Sequence, residues 1–418
     1  MTPPEHPSPS SNLAPAQYVI IGGGAVGCGA VYALAKAGHT DVLVIEKQPE
    51  LCDVTSSQGA GLCGQVRSSA ERTRLAMVSA RLFADLQDAG GPATPNWHAV
   101  GSLRLANTDE RVAEFQRLKV VCDEVGLGVE LIDIERARRL WPKLTFDGIR
   151  AVLWCPSDGY MDPRSVVRTY AHYSRELGVR FATDTAVQGI ELRGGRVAAV
   201  RTSRGIVECE NVINAAGSHA YHVAKLVGLE LPIVPVRHEY FVSVPMAGLH
   251  SELPVVRIPD IGLYVRADNQ GLLVGGWEEQ ALSKNPTEFG LTDEPPLTGD
   301  EAVLSDFARR LEPLVPGVCG AASARVAKGW PTFTPDGRFI VGRSSRVPGF
   351  IMAGGCNAHG ISGSPGLGQH LIEALFSPEP SPYVKSLSPD RFDGMQWDWP
   401  TVRQAAEKIY REYYAIGC

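Results

Sequence analysis

The run Tyr18-Val19-Ile20-Ile21, leading straight into Gly22-Gly23-Gly24-Ala25-Val26-Gly27, constrains the fold more than any other stretch of the chain. An Ala-rich segment follows through Ala37, then Gly38, then a second apolar run, Val42-Leu43-Val44-Ile45, ending at Glu46. This is the order strand, tight turn, helix, turn, strand that a parallel βαβ unit requires. Gly22 permits the turn, Gly24 lets a pyrophosphate approach the backbone, and Gly27 lets the helix pack close to the strand. The helix N-terminus, from Ala25 and Val26 onward, adds free N–H groups and a positive dipole end. A carboxylate at Glu46 suits a ribose 2′-hydroxyl, which favours FAD or NAD over NADP.

Charge and cysteine usage narrow the function classes. The formal net charge is −6, from 40 basic and 46 acidic residues, and no long basic run occurs. Nucleic acid and anionic membrane surfaces are therefore poor partners. The nine cysteines show no CxxC spacing, and no His cluster stands beside them, which argues for a reducing compartment and against a metal site. Met1 to Ala16 is rich in Pro and Ser and reads as a disordered tail, with neither the pattern of a signal peptide nor that of a transit peptide. The apolar region from Tyr18 to Glu46 is interrupted by glycines and Lys36, so no membrane span is expected. The expected location is cytoplasmic.

Along the chain, a Gly/Ser-rich loop from Thr55 to Arg67 suits either a backbone wrapped round a ligand or a plain surface loop. Helical spacing is expected over 71–86, 109–125, 134–140, 164–177, 300–311, 365–376 and 401–414. Strands are expected over 101–105, 151–154, 179–181, 186–192, 197–202, 206–209, 212–217, 232–244, 262–267, 272–277 and 350–353. A second strand–glycine loop–helix unit begins at Gly354-Gly355-Cys356-Asn357-Ala358-His359-Gly360. The predicted fold class is α/β, a Rossmann-like FAD-binding domain with an inserted β-rich α+β substrate domain. The FAD-binding part is assigned 17–85, 150–225 and 327–390, the insert 86–149 and 226–326, and a helical tail 391–418.

Six segments in order carry a family resemblance: the glycine turn with Glu46, the loop ending Ala60-Gly61-Leu62, Asp158-Gly159-Tyr160-Met161-Asp162-Pro163, Asn214-Ala215-Ala216-Gly217, Trp330 to Gly337, and the His359-Gly360 loop. Together they resemble the D-amino-acid-oxidase-like FAD oxidoreductases, within them the dimethylglycine and sarcosine dehydrogenase branch. The resemblance covers the flavin part alone, without the folate-binding half of larger members. It implies that Gly22, Gly24, Ala25, Val26, Gly27, Glu46 and Lys47 hold the nucleotide. It implies further FAD contacts from Ser56, Ser57, Gln58, Gly61, Leu62, Val187, Ala215, Ala216 and Gly217, and from Gly355, Asn357, Gly360, Ile361 and Ser362. Gln58 stands where dimethylglycine dehydrogenases carry a flavin-linked histidine, and Gly329 where monomeric sarcosine oxidases carry a linked cysteine. Non-covalent FAD is therefore expected. Leu273 replaces an oxygen-activating lysine and Ser362 a carboxylate-holding one.

The activity implied is oxidation of a secondary or tertiary amine, an N-methylated or cyclic amino acid, by hydride transfer to flavin N5 and hydrolysis of the imine. The electron acceptor is oxygen, a quinone or an electron-transfer flavoprotein. His238, on a strand, matches a family active-site histidine and is expected to take the amine proton near neutral pH; packing is the other reading. Tyr264 matches a substrate-facing tyrosine or packs on the sheet. Arg266, on the same sheet face as Tyr264, and Arg67 are candidate carboxylate clamps. His359 and Trp330 are expected to border flavin and substrate. The alternatives are the flavin subunit of a hetero-oligomeric sarcosine or proline oxidase, an NAD-dependent dehydrogenase, or a non-catalytic FAD-binding assembly factor.

Overall fold

The computed structural model describes residues 13–414. The expected tail thus lies outside the described residues up to Asn12, and Ala16 already belongs to the first strand, Ala16–Ile21.

Two eight-stranded sheets organise the chain. In the first, Phe350–Gly354, Gly205–Asn214, Ala16–Ile21, Val42–Ile45 and Arg180–Ala182 run parallel, with Ile340–Arg343 antiparallel at one edge. Its central strands are buried on both faces, as Val19, Ile20 and Val44 at 0% exposure demonstrate. That accounts for unbroken apolar runs rather than alternation. Helices Ala25–Lys36, Pro163–Glu176 and Ser364–Phe376 form a packed layer with the sheet. The second of these starts at an Asp162 cap that accepts from Ser165 N (2.7 Å), with Pro163 in its first turn. The Gly194-Gly195 turn joins Val187–Arg193 to Arg196–Thr202, and that hairpin continues antiparallel into Gly205–Asn214. The segments expected as two strands, 206–209 and 212–217, are this one strand of ten residues.

The second sheet has the order Ser323–Gly329, His238–Ser243, Gly271–Gly276, Leu263–Asp268, Val255–Ile258, Ser102–Ala106, Ala151–Cys155 and Glu130–Ile132. One face is closed by helix Glu301–Leu311 through Leu304, Phe307 and Leu311, and by Trp141 and Leu144. Three expectations change here. Ala151–Cys155, placed with the nucleotide-binding segments, belongs to this sheet through pairing with Ser102–Ala106. The run expected over 232–244 breaks into Val234–Pro235 and His238–Ser243, because Val236 N bonds Pro331 O and Arg237 N bonds Leu282 O. Val255–Ile258, a short strand between Pro254 and Pro259, and the two end strands Glu130–Ile132 and Ser323–Gly329 lie outside the expected strands. The C-terminal helix runs Trp399–Arg411 and begins at an Asp398 cap.

Candidate cofactor cleft and active site

A cleft of about 470 Å³ opens at the end of the first sheet. The glycine turn is packed to the limit. A Cβ on Gly27 would come within 1.9 Å of Gly22 O, and one on Gly22, whose φ is +114°, within 2.5 Å of Ala215 O. Glu46 is held from both sides, Gly23 N–H donating to Oε2 (2.7 Å) and Gln48 N–H to Oε1 (2.8 Å). Each oxygen keeps a lone pair for a ligand. Burial pushes its carboxyl upward, and these backbone donors pull the other way. Ser56 Oγ accepts from Ala25 N (3.0 Å), placing a hydroxyl at the helix N-terminus, and sits 2.9 Å from where a Cβ on Gly24 would stand. Gly22, Gly24, Ala25, Val26, Val187, Ala215, Ala216 and Gly217 all line the cleft. So does Lys47, but its ammonium pairs with Glu294 (2.5 Å) and nears His219 Nε2 (3.5 Å). Leu291, Thr292 and Glu294 belong to a loop along the cleft wall, a contribution that a polar loop sequence does not announce.

The cleft continues into a second cavity of about 570 Å³, the two sharing Val26, Thr55, Ser56, Gly217, Thr332 and Cys356. Gln58, Gly61, Leu62, Gly360, Ile361 and Ser362 line it. Three expected cofactor residues behave differently. Ser57 turns its hydroxyl onto Val54 O (2.7 Å) within its own 3-10 turn and lines neither cavity. Gly355 also lines neither; its φ of +62° shapes the loop. Asn357 borders the cavity, yet its side chain is spent on the loop, Oδ1 accepting from Thr334 N (3.0 Å) and Nδ2 donating to Gly355 O (2.8 Å).

An aromatic group occupies one end of this cavity. His238 Nε2 meets the Tyr264 hydroxyl at 2.8 Å and Nδ1 meets the Tyr410 hydroxyl at 3.3 Å, while its ring lies 4.6 Å from that of Trp277. Burial lowers the His238 pKa to about 4 and raises that of Tyr264 well above its ordinary value. Burial thus makes His238 a weaker base than the imidazole titrating near neutral pH that the sequence suggests. Tyr413 stacks on Trp277 (3.8 Å) and bonds His359 Nε2 (2.7 Å). His359 Nδ1 bonds Asn357 O (2.8 Å). A carbonyl only accepts, so Nδ1 carries the proton and the Tyr413 hydroxyl donates to Nε2. Burial takes His359 down to about 3. Trp330 is a wall rather than a polar contact, since its indole N–H donates to Pro295 O (3.2 Å). Trp277, Tyr410 and Tyr413 escaped sequence reasoning; for the two tyrosines the aromatic C-terminal run Tyr410-Arg411-Glu412-Tyr413-Tyr414 was the available signal, and for Trp277 there was none.

The arginines sort unexpectedly. Arg266 does not line the cavity. It donates to Ala60 O (2.9 Å) and Ala267 O (2.8 Å), pairs with Asp268 (3.3 Å), and lies over the Tyr160 ring (4.5 Å). Its fork is consumed in fastening the Ala60 loop, which removes it as a substrate clamp. Arg67 does line the cavity, together with two strand arginines that sequence reasoning missed, half-buried Arg104 and buried Arg257. An isolated cation inside an apolar strand, as in Leu103-Arg104-Leu105 and Val256-Arg257-Ile258, was their signal. Among the described residues no cluster of His, Cys, Asp and Glu is arranged to hold a metal ion, and no helix is long and apolar enough to cross a membrane.

Residues 17–374 match the family model described as FAD dependent oxidoreductase. The chain is 33% identical to mitochondrial dimethylglycine dehydrogenase of Rattus norvegicus, over 98% of this chain and 48% of that one. It is 30% identical to 4-methylaminobutanoate oxidase (formaldehyde-forming) of Paenarthrobacter nicotinovorans, over 90% of this chain and 46% of that one. The chain therefore spans about half the length of the curated relatives it matches. In fold it resembles the crystal structure of L-proline dehydrogenase from P. horikoshii, with a TM-score of 0.82, 24% identity, and coverage of 91% of this chain and 98% of that one.

Proposed function

Because this chain belongs to the family of FAD-dependent oxidoreductases, we propose that it oxidises the C–N bond of a secondary or tertiary amine, an N-methylated or cyclic amino acid. The observation that carries this reading is the His238–Tyr264 pair in a cavity continuous with the dinucleotide cleft. The glycine turn, where no Cβ fits at Gly22 or Gly27, suits a pyrophosphate against the backbone. Glu46 takes a ribose hydroxyl, and Ser56 with the Ala25 helix terminus takes phosphate. When bound, FAD supplies the two-electron acceptor for the C–H bond beside the nitrogen.

The chain's own residues select the state of the amine. His238 and Tyr264 are both uncharged at neutral pH, and neither balances an ammonium. The substrate therefore sits there as free amine, with its proton lost to solvent on entry rather than to His238. Its lone pair is then available to drive C–H cleavage. Tyr264, tied to His238 at 2.8 Å, orients the nitrogen, and the rings of Trp277 and Tyr413 on the cavity wall offer apolar contact to N-alkyl groups. Water hydrolyses the imine product. Oxygen, a quinone or an electron-transfer flavoprotein takes up the electrons.

The test is a visible spectrum of the purified protein followed by anaerobic addition of an amine panel. Bleaching of a yellow protein by one N-methyl or cyclic amino acid supports the reading. Bound FAD that no amine bleaches overturns it.

A further inference from the structure

The amine-oxidation reading leaves open what holds the rest of the substrate, and the larger cavity contains a second polar end. Arg257 pairs in register with Arg104 on one neighbouring strand and with Tyr264 on the other. Tyr264 in turn lies opposite Gly275. In-register residues share a sheet face, so Arg104, Arg257 and Tyr264 form one row across the cavity floor. Strand spacing puts neighbours in that row about 5 Å apart at the backbone.

Arg257 is 7% exposed, and among the described residues its guanidinium makes no hydrogen bond and no ion pair; Nη1 is buried without a partner. Arg104 and Arg67 both donate to a single acceptor, Val66 O (2.7 and 2.9 Å), and Arg104 Nε has no partner. The carboxylates of the region are already engaged. Asp158 accepts from Gln65 N (2.8 Å), Gln65 Nε2 (3.0 Å) and Ser102 Oγ, while Glu114 and Asp260 pair with Arg111. Room for the Arg257 fork is reserved by Gly64, where a Cβ would stand 2.8 Å from Nη2. A buried guanidinium left without an anion is costly, and a planar fork matches a carboxylate bidentately.

Resting on the reading of the site as an amine oxidase, we propose that Arg257, supported by Arg104, seats the carboxylate of the substrate, so that the substrate is an amine that also bears a carboxylate. The pocket then has two ends: an uncharged aromatic end that takes the nitrogen as free amine, and a cationic end that takes the acid. Arg67, half-buried and tied to Val66 O, adds field without being the fork.

The experiment is calorimetric titration of the FAD-loaded protein with butanoate, a carboxylate without an oxidisable amine, and with butanamide as its uncharged match. Butanoate binding that weakens at least tenfold in R257M and in R257K, with butanamide not binding measurably, supports the seat. R257K keeps a charge of similar bulk and loses only the fork, so it remains informative if R257M fails to fold. Equal butanoate affinity in wild type and R257K, or no butanoate binding by wild type, overturns the seat. The amine panel separates the two readings. N-methylamines without a carboxylate that bleach the flavin as well as N-methyl amino acids do would sink the seat and leave amine oxidation standing. Butanoate held through Arg257 with no amine bleaching would do the reverse.

Discussion

Tyr264 lies directly over Gly275 on the neighbouring strand, so close that a Cβ on Gly275 would stand 2.3 Å from both the ring carbon Cζ and the hydroxyl oxygen. The missing side chain is what lets the phenol lie flat and reach His238 Nε2. Gly275→Ala is therefore expected to push the hydroxyl off His238. Overpacking of this kind costs about 1–3 kcal/mol of stability. The limiting rate of flavin reduction should fall about tenfold or more, with FAD content unchanged. Stopped-flow reduction beside the ratio of flavin to protein absorbance checks this, and an unaltered rate would show that Tyr264 does not position substrate.

The glycine turn supports the opposite pattern. Gly27→Ala places a methyl where Gly22 O already stands, 1.9 Å away. The helix must lift from the strand, which spoils the phosphate cradle. The purified variant is expected to lose most of its FAD while keeping its far-ultraviolet circular dichroism, and full flavin content would refute the close-packing argument.

His238 and His359 set an acid limit on stability. Burial depresses them to about 4 and about 3, against about 6.5 in an unfolded chain. Between these values the unfolded state binds more protons, so stability falls as pH drops below 6.5 and is unaffected above it. Each group contributes on the order of a few kcal/mol to that fall. Urea midpoints measured from pH 7.5 to 4.5 should decline less steeply in His238→Gln than in wild type. The same substitution should lower the flavin-reduction rate yet leave the pH midpoint in place, since the proposed mechanism assigns the titration to the amine of the substrate. A midpoint that moves with the substitution would restore His238 as the proton acceptor.

Lys47 and Glu294 tie the 289–298 loop to the nucleotide cleft at 2.5 Å, with Gln48 adding a 3.0 Å bond to the same carboxylate. The Glu294 side chain is half exposed, and such pairs contribute at most about 1 kcal/mol. Glu294→Gln is expected to speed FAD release by no more than about fivefold, more so at low salt than at high. Fluorescence recovery on dilution measures it, and a salt-independent effect would rule out the ion pair as the cause.

FAD is expected to be released into the supernatant on acid precipitation, since Gly329 offers no side chain and Gln58 no nucleophile to the cavity they line. Colour retained in the pellet would point to another residue, with His359 and Cys356 on the wall as the ones to replace.

The sequence by itself determined the βαβ unit, the glycine positions and Glu46, because these depend on contacts within some thirty neighbouring residues. Helices such as Asp109–Val125, capped by Thr108 and stopped by Gly126 at φ +77°, were equally local and equally legible. His238 and Tyr264 are also legible in the sequence as residues, though their titration is not. Only the tertiary structure decided that the His238 pKa is lowered, because that follows from burial among Tyr264, Trp277 and Tyr410, which come from distant segments. The same holds for the arginines. Arg266 shares a face with Tyr264, as the two-residue period requires, yet Ala60 O captures its fork. Arg257 is unmatched because strand Val255–Ile258 happens to lie between Arg104 and Tyr264. Period and propensity report which face a side chain takes; what waits on that face is decided by chain brought from elsewhere.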